Sequence, residues 1–268
     1  MDTPQHHSPS GKGLAIATAV AIVATLAINT LSNAFPPGGQ NIGEIANTQL
    51  VDVLIIPASY AFSIWGLIYL GLLAYGLYQF NRERRSQPDI QRVNQLLIVA
   101  CIAQVIWIFL FTLEQFGWSI LAMLGILLPL IGAYRTFNIG RDRPSRQRRW
   151  MAHIPFSIYL AWISVATIVN VAAALYASPW DGWGLTAVTW TVAMVVVVTL
   201  LGAVVIYRRQ DVAFTLVFVW ALVAIAVRQS ETPAVLWAAL IAAGVLLIGL
   251  AVARFALPHP PRPKPDPN

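Results

Sequence analysis

Eight long apolar runs divide this 268-residue chain, at residues 13–33, 58–79, 95–113, 116–136, 152–176, 185–207, 211–228 and 233–254. About 20 apolar residues span a bilayer as a helix. In lipid only helices and closed barrels satisfy their own backbone polar groups. The runs are continuous and do not alternate with period two, which excludes a membrane β-barrel. Only 10% of the residues are charged, where a soluble domain carries about 25%. The chain is therefore read as all-α, a polytopic transmembrane bundle of eight helices. Glu114–Gln115 is so short a link that the third and fourth helices must form a tight antiparallel hairpin. Gln210–Asp211 alone separates the sixth from the seventh.

The net charge of +6 would suggest nucleic acid in a soluble protein, but here its placement speaks for topology. With the N-terminus in the cytoplasm, sixteen of the seventeen Lys and Arg fall in inner segments, as retention of cations on that side requires. Arg228 is the exception. Both termini are then cytoplasmic, in what would be a bacterial plasma membrane, and no nucleic-acid partner is expected. Residues 1–12 form a polar tail and 255–268 a proline-rich, extended one. His6, His7 and His259 lie in these tails and read as solvated. Ser32-Asn33-Ala34 resembles a signal-peptidase site, although the preceding run is long for a signal sequence. The first outer loop, 34–57, is apolar at Leu50, Val51, Val53, Leu54, Ile55 and Ile56, which suits a lid or an interfacial linker equally.

Ionisable residues inside a membrane mark ion and proton paths, and none lies in the middle of a proposed span. His153 sits at the inner end of the fifth helix beside Trp150, an interfacial position. A retinal Schiff base has no helical lysine, since Lys12 and Lys264 are in the tails. No phosphate loop, HExxH, CxxC or GxSxG occurs. Cys101, the single cysteine, reads as core packing. The interior offers aromatic and amide surface instead: Gln104, Ser164, Thr167 and Asn170 among ten Trp. Six Trp suit the interfaces, leaving Trp65, Trp107, Trp162 and Trp220 deeper. Trp65 and Tyr69 share one helix face, and Tyr159, Trp162, Ala166 and Asn170 form a stripe at helical spacing. A packing seam and a binding pocket both account for that pattern.

The fifth helix, Tyr159-Leu160-Ala161-Trp162-Ile163-Ser164-Val165-Ala166-Thr167-Ile168-Val169-Asn170, closely resembles the YLxWxxFAxxLN signature of the TspO/translocator-protein family, the tryptophan-rich sensory proteins. Pro57 through Phe62, Trp65 and Tyr69 is similar to that family's PPxxxFxxxWxxLY run, and Gln104, Trp107, Phe109 and Phe111 to a weaker LNxxWSxxFF. Ala58 replaces the second proline, Gln104 or Ala103 stands where asparagine is usual, and Val165 replaces phenylalanine. No cholesterol-recognition pattern ends the fifth helix, because Val171 to Gly184 contains no Lys or Arg.

The resemblance implies a five-helix membrane domain over 13–176, followed at 177–254 by three additional helices without counterpart in the five-helix unit. It also implies an outward pocket under the first loop for flat hydrophobic ligands such as porphyrins. Trp65 and Trp162 would supply stacking walls, Tyr69, Gln104 and Asn170 hydrogen bonds, and Pro57 the loop exit. Trp107, Tyr159 and Ala166 complete the expected ligand-binding set. No cofactor is required on this reading, a tetrapyrrole is the expected ligand, membrane lipid surrounds the protein, and oligomeric state stays open. A transporter of a small amphipathic solute is the alternative. Light- or oxygen-dependent porphyrin degradation, proposed for the family, finds neither a metal site nor a buried acid–base pair.

Overall fold

A computed structural model describes residues 11–256. The two tails beyond them, with His6, His7 and His259, lie outside the described residues. No strand occurs among the described residues. The eight principal helices are α1 (Lys12–Ala34), α2 (Ile64–Gln79), α3 (Pro88–Thr112), α4 (Phe116–Thr136), α5 (Ile154–Tyr176), α6 (Ala187–Arg209), α7 (Val212–Arg228) and α8 (Pro233–Ala256). A 3-10 turn, Ser59–Ser63, leads into α2, and a π-helical turn, Arg149–His153, into α5. Seven of these segments are long and apolar enough to cross a membrane. The remaining one, α7, is a shorter apolar helix of 17 residues, about 25 Å at 1.5 Å per residue, between α6 and α8.

Local chemistry sets the helix ends. Pro88 and Pro233 sit in the first turns of α3 and α8, where the missing N–H has no helical partner to lose, whereas Pro155 directly follows the π-helical turn within one continuous helical segment, Arg146–Tyr176. Thr186 and Asp211 cap α6 and α7 by accepting from the amides of Thr189 and Phe214. The two tight reversals pass through left-handed residues, Glu114 at φ 60° and Gln210 at φ 50°. α3 starts seven residues before its apolar run because Pro88 and Asp89 begin the helix in the polar loop.

The first five helices close into a ring in which α1 touches α2 and α3, α3 pairs with α4, α4 with α5, and α5 returns to α2. α2 and α5 are in close contact at Gly71, where an added Cβ would lie 2.9 Å from Pro155 Cβ. The last three helices pack on one another, and α7 docks them onto α5 and the 3-10 turn, helped by a 3.0 Å bond from Ala58 N–H to Ala224 C=O. Ala239, Ala242 and Ala243 of α8 are buried within this packing, whereas Gly66 and Gly244 face open space. Ser164 and Thr167 donate to the carbonyls of Leu160 and Ile163 at 2.8 and 2.7 Å. Such back-bonding leaves their hydroxyls satisfied within the helix.

The polar loops collect at two ends. At the basic end Arg84 donates to Gln147 (2.6 Å), Arg148 pairs with Asp89, and Arg209 donates to the Ile139 carbonyl (3.1 Å). His153 is buried there: its ring stacks on Phe137 with centroids 5.7 Å apart, and Nε2 accepts from Arg148 Nε at 3.3 Å. The first loop lies at the opposite end, and Arg228 is held by it.

Candidate ligand pocket beneath the first loop

The loop between α1 and α2 is built rather than slack. Asn41 and Glu44 form a reciprocal capping box, Asn41 Oδ1 accepting from Glu44 N–H at 3.0 Å and Glu44 Oε2 from Asn41 N–H at 2.7 Å. Together they start the helix Ile42–Thr48. Ile45, Ala46, Leu50, Val53, Ile55 and Ile56 are buried behind it, while Val51 stays exposed. Three ties hold the loop down. Gln49 Nε2 donates to Glu114 Oε1 (2.8 Å) at the α3–α4 reversal, and Tyr176 OH to Asp52 Oδ2 (3.0 Å). Arg228 donates to Asn47 Oδ1 and the Ala46 carbonyl, both at 2.8 Å. The cation that departs from the charge alternation therefore fastens the loop to α7.

Beneath this lid lies a cavity of about 50 Å³. Ile42, Ala46, Leu50, Ile56 and Pro57 roof it; Phe62, Trp65, Trp107, Phe111, Trp162, Val165, Ala166, Val169 and Asn170 form its walls. Six of the residues that the sequence singled out, Pro57, Trp65, Trp107, Trp162, Ala166 and Asn170, thus meet around one space. Three of the four deep tryptophans are among them. Trp220 belongs elsewhere, its Nε1 donating to the Ala61 carbonyl at 3.2 Å with its ring edge-on to Tyr60.

Tyr69, Gln104 and Tyr159 do not line the cavity but form an adjoining buried network. Tyr159 OH donates to Gln104 Oε1, and Gln104 Nε2 donates to Tyr69 OH at 3.1 Å. Trp65 joins the two groups, stacking on Tyr69 (centroids 5.6 Å) and meeting Tyr159 at 6.2 Å. Asn170 is likewise engaged: Oδ1 accepts from Trp107 Nε1 at 2.9 Å, and Nδ2 donates to Ser119 Oγ at 3.0 Å. Ser119 was not a sequence candidate, nor were Ile42 and Ala46, although the capping pair Asn41/Glu44 ahead of Ile42, Ile45 and Ala46 is a legible helix signal.

Trp162 differs from its neighbours. It is 3% exposed, its ring meets Phe62 edge-on at 6.0 Å, and its Nε1–H has no hydrogen-bond partner among the described residues. A buried donor without a partner costs roughly 1–3 kcal/mol. A ligand acceptor reaching this indole would recover that cost.

Together these features define a polytopic helical membrane protein with a lidded aromatic pocket inside its first five helices. A family model described as TSPO-like protein matches residues 15–252, and the chain belongs to that family. The match runs from α1 into α8, so it takes in the last three helices as well as the ring. No curated protein and no solved structure matches the chain.

Proposed function

We propose that this integral membrane protein binds flat hydrophobic ligands of the tetrapyrrole kind under its first loop, and that it senses or buffers them. The observation that carries this reading is the convergence of Trp65, Trp107 and Trp162 on one cavity, with the Trp162 indole N–H unpartnered. Aromatic faces stack on a macrocycle, and a single well-placed donor orients its polar edge. The cavity of about 50 Å³ is far below the roughly 300–1,000 Å³ of a small-molecule site. A porphyrin therefore enters only when the lid, residues 36–58, lifts and withdraws Ile42, Ala46, Leu50 and Ile56. The five-helix domain carries the site, the three further helices brace it through α7, and the basic end faces the cytoplasm.

Titration of the purified protein with protoporphyrin tests the reading. Tryptophan fluorescence is expected to quench saturably, and Trp162→Ala to weaken binding by more than about tenfold, since it removes both an aromatic contact and a hydrogen bond. Unchanged affinity in both Trp65→Ala and Trp162→Ala would remove the pocket from consideration. Saturation without flux in proteoliposomes separates binding from solute transport.

A further inference from the structure

A second, larger space lies at the basic end, between the five-helix ring and α7. Its volume is about 950 Å³. The shaft is mainly apolar, walled by Leu67 of α2, Ile158 of α5, and Ala213, Leu216 and Trp220 of α7, with Ser63 also in its lining. From Asp211 at its mouth to Trp220 is nine helical residues, about 14 Å, or half of a hydrocarbon core of about 30 Å. The shaft is thus one leaflet deep.

The mouth is of opposite character. Arg143, Arg149, Arg209 and Arg254 line it against two carboxylates, Asp142 and Asp211. Both carboxylates are already engaged. Asp211 accepts from Tyr134 OH (2.8 Å), Ser157 Oγ (2.6 Å) and Phe214 N–H (3.2 Å), and Asp142 from Asn138 Nδ2 (2.9 Å). Arg209 donates to a backbone carbonyl. Among the described residues, Arg143, Arg149 and Arg254 make no hydrogen bond to a side chain and no ion pair. Trp150, 62% exposed, lines the same rim, as an interfacial indole would.

We infer that this cleft binds an acidic phospholipid, its phosphate held by Arg143, Arg149 and Arg254 and an acyl chain lying in the shaft between α2, α5 and α7. A free anion has no use for an apolar shaft one leaflet deep, and a neutral lipid none for three guanidiniums that are unpaired among the described residues. Basic pockets between transmembrane helices are a known arrangement for anionic head groups. The site is separate from the lidded pocket and stands whether or not that pocket takes a porphyrin. It places a lipid at the junction through which α6–α8 join the ring.

Native mass spectrometry of the full chain, taken from nanodiscs of mixed phosphatidylglycerol and phosphatidylcholine, tests this. One phosphatidylglycerol is expected to stay bound under conditions that strip phosphatidylcholine. The double variant R143Q/R149Q is expected to weaken its retention by more than about tenfold, each cation contributing about fivefold near an anionic head group. Both arginines are exposed, so the variant keeps the fold. A213W, which fills the shaft, is expected to abolish retention. In a parallel thermal unfolding series, phosphatidylglycerol raises the midpoint while phosphatidylcholine and inorganic phosphate do not. Equal retention of the two lipids, unchanged retention in R143Q/R149Q, or the full stabilisation from inorganic phosphate alone would each overturn the assignment.

Discussion

Two amides and one indole show how much a single residue depends on its partners. Gln104 bridges Tyr159 and Tyr69, and Asn170 bridges Trp107 and Ser119, so both stand within the protein's own network. Replacing Gln104 by Leu leaves two buried phenols without a partner and is expected to destabilise the protein by about 1–3 kcal/mol. Unfolding in a denaturing-detergent titration measures that loss, and a midpoint equal to wild type would show that the network contributes nothing. Trp162→Phe keeps an aromatic ring but deletes the unpartnered N–H. Protoporphyrin affinity is then expected to fall by roughly three- to tenfold, the worth of one hydrogen bond, while Trp65 and Trp107 still quench. Undiminished affinity would show that the indole N–H takes no part in recognition. The sequence marked Gln104 and Asn170 as isolated polar groups on helices. Helical spacing gives the face a side chain occupies but not the group across from it, which is why Ser119 was invisible and why Ser164 and Thr167, equally isolated, proved to bond their own helices.

At the scale of elements, the loop over residues 36–58 is the part that the proposed binding would have to move. Its apolar half was legible as lid or linker, but not its ties to Glu114, Tyr176 and Arg228, which lie 65, 124 and 181 positions from their loop partners. No local pattern reports contacts of that separation. Because a macrocycle needs the lid raised, Arg228→Ala removes two charge-assisted bonds that hold it shut. The association rate for protoporphyrin is expected to rise by roughly tenfold, read by stopped-flow quenching. A rate unchanged from wild type would mean that ligand enters by another route. The hairpin at Glu114–Gln115, by contrast, was fully legible, because a two-residue link leaves adjacent helices no geometry but an antiparallel one.

For the molecule as a whole, the placement of sixteen cations predicts sidedness that can be measured. In a Cys101→Ala background, Ser145→Cys is expected to react with a membrane-impermeant thiol reagent only from the cytoplasmic face, and Ser178→Cys only from the other. Labelling of both from one face would refute the eight-helix alternation. The order and approximate limits of the eight principal helices were legible in the sequence alone, whereas the short helix Ile42–Thr48 was not. Hydrophobic length and backbone self-satisfaction are local requirements, and lipid enforces them segment by segment. Only the tertiary structure decided that α1 to α5 close into a ring, that Trp65, Trp107 and Trp162 converge while Trp220 does not, and that an arginine-rimmed cleft opens beside α7. Those outcomes depend on which helix faces meet, and faces far apart in the chain are joined only by packing.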